Sequence, residues 1–394
     1  MDFKMSKRVD MMKNSIIRQL LSLCDSPEMI SFAGGFPAAE LFPIEEFKKA
    51  SIETLDEDGR KALQYAATDG YPKLREHIVD IVAKQGIKCN IEDILITNGS
   101  QQGLEFSGRI FLDEGDTILV ESPSYLGALG AFRVYNPNFV EVETDQNGMR
   151  MDSLEEALEK YDNIKFIYTI PEFQNPTGLT MPVDRRKKMI ELAKKYNVPI
   201  IEDSPYGRLR FEGEILPAIK SFDDEGYVIY LGTFSKIFAP GLRIGYVIAN
   251  EEILSKYNTS KQNVDLQAGT NSMMQLSKYL DNMCIDDHIC KITEVYKNRR
   301  DLMIRMMDEY FPENTSWNVP EGGLFTWVTL PENVDATELF KKGIARNVAF
   351  VPGEPFYPNG GHRNHFRLNY SCMPEEKIEI GMKRLAELLC EECK

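Results

Sequence analysis

A chain of 394 residues is long for a single hydrophobic core, which predicts two domains or one large and one small. Hydrophobic and charged contents of 43% and 27% are those of an ordinary globular protein. The formal net charge of −15 argues against non-specific binding to nucleic acid or anionic membranes, so small molecules are the expected partners.

The N-terminal stretch is basic but has no long apolar core or small-residue cleavage site, and no apolar run of about 18 residues follows anywhere. A cytoplasmic location is therefore expected. Met12, Ile16, Ile17, Leu20 and Leu21 recur near helical spacing and predict an amphipathic helix over 9–23, with Arg18 on its flank. The segment 30–37 reads as extended and is broken by Gly34 and Gly35; paired glycines let the backbone approach a ligand, and they equally serve a plain turn. From 44 to about 87 the pattern is helical, interrupted over 62–70 by a loop that carries Tyr65.

The chain then alternates. Apolar runs at 94–97, 117–120, 140–142, 166–170 and 199–201 are interleaved with helical stretches at 101–111, 153–161 and 184–196; the second of these carries a capping signal, Asp152 with Glu155 three residues on. Such alternation predicts a mostly parallel sheet covered on both faces. Two further buried strands, at 227–231 and 244–248, enclose a polar loop. Beyond Leu254 the pattern is helical through 272–283, followed by a stripe of Ile292, Val295, Tyr296, Leu302, Met303, Met306 and Tyr310 whose methionines read as core filling. Short strands at 324–329, 349–351 and 366–370 and a last helix over 374–389 suggest a smaller α+β domain.

The loop between those two buried strands holds Lys236, with hydroxyls at Thr233 and Ser235 before it and Arg243 seven residues after it. Desolvation lowers an amine's pKa and frees its lone pair for attack on a carbonyl, so Lys236 is a candidate for a Schiff base. Two hydroxyls and a fixed guanidinium suit a phosphate dianion. The combination describes an aldehyde cofactor that carries a phosphate.

Parallel sheets bind ligands beyond the carboxyl ends of their strands, so the polar residues found there belong together. The stretch 97–103 ends a strand and opens a helix; its amides, its Ser100 hydroxyl and its dipole favour an anion, although it also makes an ordinary helix cap. Tyr125 follows the next strand and suits a flat heterocycle or plain packing. Asn175-Pro176-Thr177-Gly178 follows the strand at 166–170. Asp203 closes the one at 199–202, with Tyr206 three residues later; a carboxylate buried there needs a cation, and a protonated pyridine nitrogen would serve.

Asn175-Pro176-Thr177-Gly178, Asp203, Tyr206, Ser235-Lys236 and Arg243, in this order and spacing, resemble the fold-type I, pyridoxal 5′-phosphate-dependent aminotransferases of the class I/II group. The resemblance spans nearly the whole chain, from Ala33-Gly34-Gly35 to Arg367-Leu368-Asn369-Tyr370-Ser371, and looks nearest to the branch holding 2-aminoadipate (kynurenine/α-aminoadipate) aminotransferases and related multi-substrate enzymes. It implies an α/β fold: a large cofactor-binding domain over 46–285, a small domain over 286–394, and a segment 1–45 that belongs to the small domain and covers the site. It also implies that Lys236 forms the Schiff base, Asp203 pairs with the pyridine nitrogen, Asn175 and Tyr206 bond the phenolic oxygen, and Tyr125 stacks on the ring. Ser100, Gln101, Thr233, Ser235 and Arg243 would hold the phosphate, with Tyr65 reaching in from a partner subunit of a homodimer. Arg367 would grip the substrate α-carboxylate, Gly35 would line the substrate site, and Arg18 would meet a side-chain carboxylate.

The expected reaction moves an amino group from an L-amino acid to a 2-oxo acid, 2-oxoglutarate among them, by ping-pong kinetics, with 2-aminoadipate, aromatic or branched-chain amino acids as candidate donors. Two rivals remain: a β-lyase on the same cofactor, and a non-catalytic cofactor-sensing domain, against which the acidic balance and the few residues ahead of Gly34 both count. No metal is expected. His362 and His365 lack further ligands nearby, as do Cys284, His288 and Cys290; His77 reads as a helix-surface residue. The seven cysteines are odd in number and scattered, and Cys390 and Cys393 have pair spacing but no second pair, so all read as free thiols.

Overall fold

The computed structural model describes residues 3–12 and 28–393. Seven of its strands form one sheet: β1 (Ile94–Asn98), β2 (Thr117–Glu121), β3 (Asn138–Val142), β4 (Ile164–Thr169), β5 (Ile200–Asp203), β6 (Val228–Thr233) and β7 (Ile244–Ile248), in the spatial order β1-β7-β6-β5-β4-β2-β3. All run the same way except β7, which is antiparallel to both neighbours, so the sheet is mostly parallel as the alternation predicts. Side chains alternate between its faces: Ile118, Val120, Phe166, Tyr168, Ile201 and Ile229 join one apolar cluster, while Leu119, Ile167, Ile200 and Val228 join another. Both faces are thus covered, which is why these strands read as continuous apolar runs.

Most boundaries fall within a residue or two of the predicted ones. The capping signal at 152–155 is not used. That helix begins at Met151 with Arg150 as its N-cap residue, and Asp152 lies inside the first turn. Its carboxylate takes a two-pronged bond from the Arg150 guanidinium, at 3.1 and 2.6 Å, and Glu155 pairs with Lys195. A charge-assisted fork outweighs a neutral amide as a partner.

A second layer of strands, β8 (Ser316–Trp317), β9 (Phe325–Thr329), β10 (Val351–Pro352) and β11 (His365–Asn369), forms an antiparallel sheet in the order β8-β9-β11-β10. The run predicted at 349–351 divides between β10 and a two-residue strand, Val348–Ala349, which pairs with Ile30–Ser31. Met29, Ile30 and Phe32 pack into the same cluster as β9, β11 and the last helix, Glu375–Glu392. The long helix α1 (Ile285–Tyr310) joins the two bodies: Ile289, Ile292 and Tyr296 pack against the large core, and Leu302, Met303, Met306 and Met307 against the small one. Those methionines are core.

At the N-terminus the described helix is Lys7–Met11, and Met12, its C-cap, is extended, so the predicted 9–23 helix does not run unbroken through Met12; residues 13–23, Arg18 included, lie outside the described residues. No described helix is long and apolar enough to cross a membrane.

Candidate active site

β1, β5 and β6 all end on one side of the sheet, and the loops beyond them open into a cavity of about 550 Å³. Its lining includes Ser100, Gln101, Tyr125, Asn175, Asp203, Tyr206, Thr233, Ser235, Lys236 and Arg243 from the large body, Gly35 from the N-terminal segment and Arg367 from β11. Twelve sequence-predicted residues therefore converge. One does not: Tyr65 is 78% exposed and lines a separate surface depression with Gln267 and Thr270. Arg18 lies outside the described residues.

Lys236 follows β6, and its ammonium donates to the Gly35 carbonyl at 2.8 Å. Burial, and then the Arg367 and Arg243 guanidiniums, lower its pKa to about 8. At the end of β5, Asp203 is 1% exposed, and burial raises its carboxyl to about 7. The Tyr168 hydroxyl donates to Asp203 Oδ2 at 3.0 Å; the other oxygen, Oδ1, is buried without a partner. Such a carboxylate invites a cationic or N–H partner from the cavity.

The anion-binding end is built by close backbone approach. Gly99 has φ +73°, and a Cβ there would lie 2.5 Å from Arg243 Nη2; one on Gly245 would strike the Gly99 carbonyl carbon and the Ser100 nitrogen. Only glycines let the helix N-terminus, Arg243 and β7 meet so closely. Thr233 Oγ1 lies 3.0 Å from Ser235 Oγ and accepts from the Ser235 amide at 3.1 Å, which sets both hydroxyls at one end of the cavity. Opposite, Arg367 is buried; it donates to Asn175 Oδ1 at 2.6 Å and to the Ala33 carbonyl at 2.7 Å, and it stacks over Phe325 at 4.1 Å. Asn175 Nδ2 in turn donates to the Tyr206 hydroxyl at 3.4 Å. Burial pushes the Tyr125 hydroxyl up to about 12 and that of Tyr206 higher, so both stay protonated.

Sequence reasoning missed several contributors. Phe325 and Phe36 line the cavity without a local motif to mark them. Glu121 is buried, with no cation among its described contacts, and accepts from Thr169 Oγ1, the Ile170 amide and Gln174 Nε2, so it anchors the loop that carries Asn175. An acid closing an apolar strand was the available signal. The histidine candidates resolve into packing: His365 stacks on Trp327 and bonds Thr329, His362 stacks on Tyr357, His288 packs on Phe238 and His77 bonds Asp281. Among the described residues no group of three or more His, Cys, Asp or Glu is placed to hold a metal. A larger cavity of about 720 Å³ beside Trp317 and Trp327 is lined by Thr177 of the motif and by His362 but by none of the twelve residues above, and its Glu143 and Asp145 are engaged by Arg150 and Arg185.

A family model described as aminotransferase class I and II matches residues 27–385. The chain is 46% identical to aromatic-amino-acid aminotransferase 1 of Thermococcus litoralis, over 97% of this chain and 93% of that one. It superposes on the kynurenine aminotransferase of Pyrococcus horikoshii, solved with PMP, with a TM-score of 0.95, at 42% identity over 99% and 98% of the two chains. For the α-aminoadipate aminotransferase of Thermus thermophilus, solved with N-(5′-phosphopyridoxyl)-L-leucine, the TM-score is 0.91 at 37% identity over 98% and 97%.

Proposed function

The chain belongs to the class I and II aminotransferases and uses pyridoxal 5′-phosphate, and from that premise we propose that it transfers the amino group of an L-amino acid to 2-oxoglutarate by a ping-pong mechanism. Its donors are aromatic amino acids and 2-aminoadipate, the classes named in its relatives. One observation supports this most: Lys236, Asp203, Asn175, Tyr206, Arg243 and Arg367, distant in sequence, line a single cavity. The residues fit the cofactor. Asp203 Oδ1 is an orphaned acceptor for a ring N–H, and the Thr233, Ser235, Ser100 and Arg243 end suits a phosphate.

When bound, the cofactor supplies an electron sink for the charge left at Cα as the α-proton departs. The chain's residues do the rest. Asp203 holds the proton on the ring nitrogen. Arg367, braced by Asn175 and by Phe325, grips the α-carboxylate as a planar fork and so orients Cα. Lys236 is the nucleophile toward an aldehyde and, once free, the base that takes the proton from Cα; a pKa near the working pH suits both tasks. Tyr206, beside Asn175, would donate to the cofactor's phenolic oxygen, Tyr125 would cover the ring, Gln101 would join the phosphate contacts, and Gly35 would leave room for substrate.

Arg18 is assigned to a side-chain carboxylate, and Tyr65 to the neighbouring subunit's phosphate site in a cytoplasmic homodimer. Residues 46–285 form the cofactor-binding domain, with 286–394 and the segment 1–45 as the small domain. A half-reaction screen of the holoenzyme against the common amino acids, 2-aminoadipate and kynurenine, following the cofactor's visible absorbance, tests this. Bleaching by an amino acid and recovery on adding 2-oxoglutarate is expected. Pyruvate released from cystathionine with no acceptor present would overturn it in favour of a lyase.

A further inference from the structure

Asp203 sits in the cavity with two unequal oxygens. Oδ2 accepts from Tyr168 at 3.0 Å, and Oδ1 has no partner. Tyr168 lies on β4, the strand beside β5, at a position whose side chain enters the apolar cluster of one sheet face. It is fully buried and stacks edge-on against Phe132 at 5.6 Å, so its ring has no room to swing. Its hydroxyl proton therefore has one destination, and the carboxylate has one rotamer in which it is met. Nothing else among the described residues holds Asp203 by its side chain.

We infer that Tyr168 is a positioning residue: its hydroxyl locks Oδ2 of Asp203, so that Oδ1 alone faces the pyridine nitrogen, and keeps the carboxylate a weak enough base to leave the proton on the ring. This rests on the assignment of Asp203 to that nitrogen. The physical basis is that a carboxylate accepting a phenolic O–H has its charge drawn toward that bond, which lowers its affinity for a second proton. A carboxylate without that donor competes harder for the shared proton and is free to rotate.

The test uses holoenzyme carrying cofactor labelled with ¹⁵N in the ring, read by its nitrogen chemical shift. In Tyr168→Phe the signal moves toward that of the unprotonated ring, the cofactor dissociation constant rises about tenfold, and kcat falls with KM nearly unchanged. Tyr257→Phe is the control for losing a buried hydroxyl: it removes the partner of Ser107 at 2.7 Å, away from the cavity, and leaves the nitrogen signal in place. An unchanged signal in Tyr168→Phe while Asp203→Asn moves it would overturn the role of Tyr168 alone. A signal unmoved by Asp203→Asn would overturn the assignment of Asp203. Should Tyr168→Phe fail to fold, a crystal structure of the wild-type holoenzyme decides: Oδ1 on the ring nitrogen and Oδ2 on Tyr168 is required, and Oδ2 on the ring overturns the inference.

Discussion

At the end of β6 the Lys236 amine donates to the Gly35 carbonyl, and burial, with two guanidiniums in its field, drops its pKa to about 8. Cofactor-free protein should therefore capture pyridoxal phosphate, trapped as a borohydride-reduced adduct, at a rate that climbs up to about pH 8 and levels off above about pH 9; an ordinary lysine would still be climbing at about pH 10. Lys236→Ala should abolish that adduct and slow the half-reaction by at least ~10²-fold, while Asp203→Ala keeps cofactor bound but poorly reactive. Gly99→Ala forces a side chain into the left-handed region and against Arg243, so a fall of about 1–2 kcal/mol in unfolding free energy and weaker cofactor binding are expected, read by denaturant titration and equilibrium dialysis. Lys236, Asp203 and Asn175 were legible because each follows an apolar run, where parallel sheets expose polar groups. Tyr168 was not: alternation assigns its ring to a core face and is silent on the acid that ring meets across the strand boundary.

Elements, not single side chains, carry Asn175 to the cavity. The loop that follows β4 is held by Glu121 on β2 and by Gln174, which also donates to the Pro123 carbonyl at 2.7 Å. Glu121→Ala removes the acceptor of three donors at once and should loosen the loop, raising KM for the amino acid about tenfold while the cofactor's absorbance maximum stays in place. In α1 the buried Met303 belongs to the small core, so Met303→Ala should lower the unfolding free energy by about 2–5 kcal/mol in thermal or denaturant unfolding. The helix and strand periods in the sequence announce such elements well. They do not announce that one helix serves two cores, because a 3.6-residue period marks an apolar face without saying what will cover it.

For the molecule as a whole, burial holds the carboxyls of Asp203, Glu121 and Glu202 up at about 7. Each raised value means the folded state keeps a proton that the unfolded state has released. That contribution is full below about pH 4 and is lost as pH rises through about 7. The thermal midpoint of the cofactor-free protein should fall by several degrees between about pH 5 and about pH 7, a window below the Lys236 value of about 8, and Asp203→Asn should flatten the slope. A midpoint that rises over this window would contradict the burial argument. In the shared-site homodimer proposed above, mixing Tyr65→Ala with Lys236→Ala subunits should restore activity beyond either variant alone, because each mixed dimer regains one site with both residues.

The order of strands and helices, the polar loops at strand ends and the lysine with its phosphate-binding neighbours were determined by the sequence itself, since backbone period, glycine placement and residue chemistry act over a few positions. Only the tertiary structure decided that Arg367 meets Asn175 192 residues away, that Ala33 and Gly35 offer carbonyls to Arg367 and Lys236, and that one oxygen of Asp203 is left open. Those pairings depend on how the two bodies pack, and packing selects among many faces that local pattern leaves equivalent.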